Sequence, residues 1–276
     1  MSIRSVSVVI GLIVSGIAAA QETASTKDDP ELVKLRGVLD RSIELFQASP
    51  ARDPAILMTH KPVLRWTNNE RDSTSVGLVV LWIDRGQPVA AMATYSWMGN
   101  LYHEFDLLSR DSITVKQDAT RIWHPQTGLT FQSIPNAPAV ETTAVSRLRQ
   151  MKLLSEQFSA TMTGWRADKS DRAELRRLPR ELYRYQPESP DIIDGAVYAF
   201  AMGNGDPEAI LLIEAVKVNG QSEWQYAFVR QTSGSLEGRH KDSVVWSAPR
   251  HGERNDPTAN GLSIVSRLNL KIELAR

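Results

Sequence analysis

The chain has 276 residues, with 32 basic and 32 acidic side chains and no cysteine. That length suits one large or two small domains with a sizeable core. Zero net charge leaves no global field to attract nucleic acid, and the lack of thiols excludes thiol catalysis, thiolate metal sites and disulfide staples.

Residues 1–20 read as a secretory signal. Arg4 is their one charged side chain, residues 6–17 form a short apolar core, and Ala18, Ala19 and Ala20 precede Gln21 as a cleavage point. The apolar run is shorter than the roughly 20 residues a membrane anchor needs. The expectation is export from a bacterial cell, to the periplasm or beyond, with no stable membrane span after cleavage. Residues 21–29 are small and polar, a flexible leader.

Pro30 opens a helix over 30–47 at a favoured first-turn position. Leu32, Leu35, Val38 or Leu39, Ile43 and Phe46 recur on one side of it, and Ser49-Pro50 stops it. A short strand at 64–67 and a polar loop at 68–75 lead into a hairpin. Residues 76–83 are apolar on both faces, the pattern of a buried central strand. Asp84-Arg85-Gly86-Gln87 turns the chain, and 89–97 returns. In 101–108, Leu101, His103, Phe105 and Leu107 alternate with Tyr102, Glu104 and Asp106, a half-buried strand. Short strands at 113–115, 120–123 and 129–134 follow, and Pro135-Asn136-Ala137-Pro138 closes the first unit.

A second helix over 144–158 carries Val145, Leu148, Met151, Leu154 or Ser155, and Phe158. Residues 165–180 read as a charged, intermittently helical stretch. A meander runs on to Trp246, and 250–260 is a loop. Leu268, Leu270, Ile272 and Leu274 then alternate with Asn269, Lys271 and Glu273, an amphipathic strand expected to finish the second sheet.

The hairpin pattern occurs twice, around Gly77 and around Gly195. Leu64-Arg65-Trp66 begins thirteen residues before Gly77, and Leu182-Tyr183-Arg184 begins thirteen before Gly195. Trp123 with Pro125 has its counterpart in Trp246 with Pro249. The expected class is α+β, in two similar halves, each a helix packed on a twisted antiparallel β-meander. The halves occupy 30–138 and 139–276.

Chemistry is sparse. His103-Glu104 is followed four residues after the histidine by Leu107, so the zinc-protease helix signature is missing. No Gly-x-Ser-x-Gly elbow occurs, and Gly203-Asn204-Gly205-Asp206 joins two strands, so it is a hairpin turn and no phosphate cradle. No metal site and no cofactor is expected, and no catalytic residue is assigned. His103 reads as a core side chain and Glu214 as an outward-facing one near a strand end. Aromatic residues on a sheet face stack on sugars or hold acyl chains. Trp97, Tyr102, Trp224 and Tyr226 stand out as such ligand contacts, against the favoured alternative that the tryptophans fill the helix–sheet interface.

Three stretches carry a resemblance: 177–185 (Arg-Leu-Pro-Arg-Glu-Leu-Tyr-Arg-Tyr), 193–200 (Ile-Asp-Gly-Ala-Val-Tyr-Ala-Phe) and 224–227 (Trp-Gln-Tyr-Ala). They resemble uncharacterised secreted proteins of planctomycete-type bacteria, mainly over 64–249. The resemblance implies export and assigns no activity. The leading functional reading is a non-enzymatic envelope protein that binds an unknown envelope ligand or protein, with no nucleic acid partner. The second reading is a hydrolase of an envelope polymer or ester, with loop carboxylates and a histidine as acid and base.

Overall fold

The structure, a computed structural model, describes residues 30–68, 75–164, 171–203, 205–250 and 255–267. The expected signal and leader, and the alternating strand at 268–274, lie outside these residues. The first elements are α1 (Pro30–Ile43), β1 (Phe46–Pro50), β2 (Thr59–Asn68), β3 (Ser75–Asp84), β4 (Gln87–Trp97), β5 (Asn100–Leu107), β6 (Ile113–Gln117) and β7 (Thr120–Trp123). After β8 (Gln132–Ser133) come α2 (Ala144–Ser155), β9 (Phe158–Thr163), β10 (Arg172–Arg177), β11 (Tyr183–Tyr185), β12 (Ile192–Ala201), β13 (Pro207–Val218) and β14 (Gln221–Arg230). β15 (Ser235–His240), β16 (Ser243–Ala248) and β17 (Gly261–Arg267) complete the described chain.

The protein is mainly β, and the expected α+β class with one helix-plus-sheet unit per half is wrong. Strands form a nine-stranded sheet, a five-stranded sheet and a three-stranded sheet, against two helices. The physical reason is coverage. A helix of 14 residues spans only about 21 Å, too little to cover a curled sheet. Much of the burial is sheet on sheet. The charged stretch at 165–180 was likewise misread where it is described, since Arg172–Arg177 is strand β10.

Each helix lies on the two central strands of one large sheet, α1 on β3 and β4, α2 on β12 and β13. The five-stranded sheet runs β17-β5-β4-β3-β2. Its inner face carries Leu78, Val80, Trp82, Met92 and Phe105, covered by α1 and by the β1-β6-β7 sheet. The nine-stranded sheet curls back over α2, so that Tyr198, Phe200, Leu211, Trp224 and Phe228 share a core with Met151 and Leu154. The outer faces of the two sheets meet, with Leu81 and Ala91 on one side and Val197, Ile210 and Leu212 on the other. Two strands cross the expected boundary. β8 pairs with β14, and β17 pairs with β5.

Cross-strand partners share a face, and this sets two rows at the sheet–sheet junction. In the five-stranded sheet the row is Trp66, Gly77, Tyr95, Tyr102 and Val265. In the nine-stranded sheet it is Tyr185, Gly195, Glu214 and Gln225. Both glycines serve a close approach. A Cβ on Gly77 would fall within the Trp66 indole, and one on Gly195 within the Tyr185 ring. Gly77→Ala and Gly195→Ala are therefore expected to destabilise by about 1–3 kcal/mol each through overpacking. Gly37→Ala, in the α1 interior with the nearest neighbour at 3.5 Å, is expected to stabilise by about 0.5–1 kcal/mol. Urea unfolding of the three variants checks the opposite signs.

Candidate functional site

The polar row leads to a cleft of about 500 Å³. Glu214 sits mid-strand in β13 between Leu212 and Val216, and its side chain is fully buried. The outward-facing position expected for it is wrong. Strand alternation turns Glu214 to the same face as those two apolar neighbours, into the junction. The Tyr185 hydroxyl donates to its Oε1 at 2.7 Å, and Arg110 donates to its Oε2 at 2.5 Å. A second guanidinium nitrogen of Arg110 donates to Gln225 Oε1 at 2.8 Å. The guanidinium also lies 3.6 Å from the centre of the Phe131 ring, a cation–π contact. Burial, then the Glu214 charge, push the Tyr185 hydroxyl well above its ordinary pKa.

Arg110 follows β5 and so comes from the first half of the chain. Its side chain is 36% exposed and lines that cleft. The β3–β4 turn and the 187–191 loop both line it and are joined by Glu188 N–H donating to the Arg85 carbonyl at 3.2 Å. Arg52 pairs with Asp84 at 2.5 Å on the rim. Arg52, Arg85, Arg110 and Lys217 face Asp84, Asp111, Glu188 and Asp191 around the opening. The lining is charge-balanced. Both oxygens of the Glu214 carboxylate are already engaged, which suits holding a ligand better than shuttling a proton.

A second buried carboxylate braces the opposite side of the same sheet. Asp194 accepts from Arg147 of α2 at 2.9 Å, from Arg184 at 2.8 and 3.1 Å, and from Gln186 at 3.0 Å. Burial opposes its charge, but these hydrogen bonds outweigh burial and hold its pKa below the usual value. The network ties the first turn of α2 to β11 and β12.

The expected ligand contacts separate into two pairs. Trp97 and Tyr102 lie together at the free end of the aromatic row, with ring centres 6.0 Å apart and Trp97 37% exposed. Tyr102 stacks on Tyr95 at 4.9 Å, and the Tyr95 hydroxyl donates to Glu104 Oε1 at 3.0 Å. Trp224 and Tyr226 are instead core residues, at 1% and 3% exposure, because they face α2. They fill the helix–sheet core rather than an open sheet face, and Tyr226 also borders a second cleft of about 320 Å³. The Tyr226 hydroxyl donates to Gln132 Oε1 at 2.9 Å. Sequence reasoning missed Arg110, Tyr185 and Gln225. Arg110 and Glu214 are 104 residues apart, and no spacing signals such a pair.

Among the described residues no three His, Asp or Glu side chains gather as a metal site, and no helix is long and apolar enough to cross a membrane. A scan of protein-family models, a search of curated proteins and a search of solved structures each give no match to the chain.

Proposed function

We propose that the chain is an exported, non-enzymatic binding module of the bacterial envelope, with its ligand held in the cleft above Arg110 and Glu214. One observation carries this reading. The cleft floor is a pre-formed polar constellation in which Arg110 is fixed at once by Glu214, Gln225 and Phe131 while part of its side chain faces the opening. Pre-fixed groups bind without a further ordering cost. The balanced charges of the walls favour a ligand that is neutral overall and rich in hydrogen-bonding groups. The corresponding rows, Trp66-Gly77-Tyr95 and Tyr185-Gly195-Glu214, support reading the chain as two related sheet units.

Hydrogen exchange on the mature protein, with and without purified peptidoglycan, envelope polysaccharide or lipid vesicles, tests the site. Slowed exchange at 109–112 and 187–191 with one of these is the expected result. Release of a cleaved product from any of them would replace the binding reading with the hydrolase one. Export makes a separate prediction. Mass spectrometry of the protein from its native cell is expected to find an N-terminus near Gln21, and a mature chain that retains residues 1–20 would refute it.

A further inference from the structure

The nine-stranded sheet curls far enough to approach closure. Its order β16-β15-β9-β10-β12-β13-β14 is antiparallel at every step. Seven alternating strands leave β14 and β16 running in the same direction. Their inward side chains already meet, since Phe228 and Trp246 stack with ring centres 5.4 Å apart at 15°. The strands themselves are not hydrogen-bonded neighbours. A cleft of about 320 Å³ lies along the seam, lined by Tyr226, Phe228, Val245 and Trp246 with the 127–132 segment and Asn260. β8 fills only two rungs midway along β14, pairing with Gln225 and Tyr226. Beyond them, among the described residues, neither facing edge has a strand partner. Unpaired edges of this kind are sites where another strand adds.

Parity decides what fits. One strand antiparallel to both β14 and β16 converts seven strands into a closed, eight-stranded, wholly antiparallel barrel. The occupant needs apolar side chains at alternate positions for the interior and polar ones for the outside. Residues 268–276 have that pattern, with Leu268, Leu270, Ile272 and Leu274 set against Asn269, Lys271 and Glu273.

We propose that the seam is a strand-addition site, filled by residues 268–276 of a second copy of the chain. The path of β17 selects the second copy over the same one. β17 starts beside Asn260 at the cleft and runs away from it for seven residues, ending opposite Asn100 where β5 begins. At about 3.3 Å per residue, Arg267 stands roughly 23 Å beyond Asn260. Nine residues extend to about 30 Å at most. A chain folding back on itself would arrive with about two residues to insert. A partner related by a two-fold axis meets no such limit, and the exchange is then reciprocal and closed.

Sedimentation velocity of the mature chain is expected to give a dimer, and the chain ended at Arg267 a monomer. A synthetic peptide of residues 268–276 is then expected to bind the shortened chain and slow amide exchange at 227–229 and 244–247. A peptide of the same composition with its leucines adjacent is expected to do neither. A monomeric mature chain, a dimer that survives loss of 268–276, or peptide binding that leaves both strands unprotected overturns the proposal.

Discussion

Replacing Arg110 with methionine is expected to remove about 3–4 kcal/mol of folding stability at pH 7. Glu214 is fully buried, and among the described residues Arg110 is its only cationic hydrogen-bond partner. Without it the buried carboxylate keeps, among the described residues, the Tyr185 hydroxyl. Removing one partner of a buried ion pair typically costs about 3–5 kcal/mol, and the hydrogen bond kept from Tyr185 holds the loss to the lower part of that range. Glu214→Gln is expected to cost less, because the freed guanidinium is 36% exposed and can turn to water. Urea unfolding of Arg110→Met, Glu214→Gln and the double variant at pH 7 closes the cycle. Equal costs for the two single variants, or additive costs in the double variant, would show that the pair does not act as a buried ion pair.

The strands around this pair were legible because their apolar runs are long. Residues 76–83 and 208–216 admit no solvent face, and the structure buries both strands between a helix-covered core and the sheet junction. Class was not legible. The two amphipathic helices are plain in the sequence, whereas the sheet-on-sheet contact rests on residues such as Leu81, Ala91 and Leu212, which look the same whatever covers them. Glu214 was misplaced because one polar residue in an apolar strand reads as the point where the strand surfaces. Its two donors come from β11 and from the segment after β5, and only the folded chain brings them together. That Trp224 and Tyr226 lie in the core rather than on an open face was illegible for a related reason. Aromatic residues suit a buried sheet face as well as an open one, and periodicity does not say which face α2 will cover.

Acidification supplies the second large effect, through His103. The ring lies on β5 at 3% exposure, edge-on to Phe46 with centres 4.8 Å apart, and its Nε2 has no partner among the described residues. Burial lowers its pKa from 6.5 to about 4. The folded state therefore refuses a proton that the unfolded chain accepts. Stability from this group is complete above pH 6.5, falls as pH drops from 6.5 towards 4, and falls no further below that. A difference of this size is worth about 3 kcal/mol, a large part of the roughly 5–15 kcal/mol that holds a domain folded. Asp194, whose pKa is lowered, also loses its contribution as pH falls, and in a more acidic window, starting near the ordinary carboxylate value. Comparison with a variant separates the two. His103→Phe keeps a ring against Phe46 and cannot titrate. Its unfolding free energy, followed from pH 7.5 to pH 4, is expected to lose about 3 kcal/mol less than that of the native chain over the same interval. Parallel curves for the two proteins would assign the acid sensitivity elsewhere.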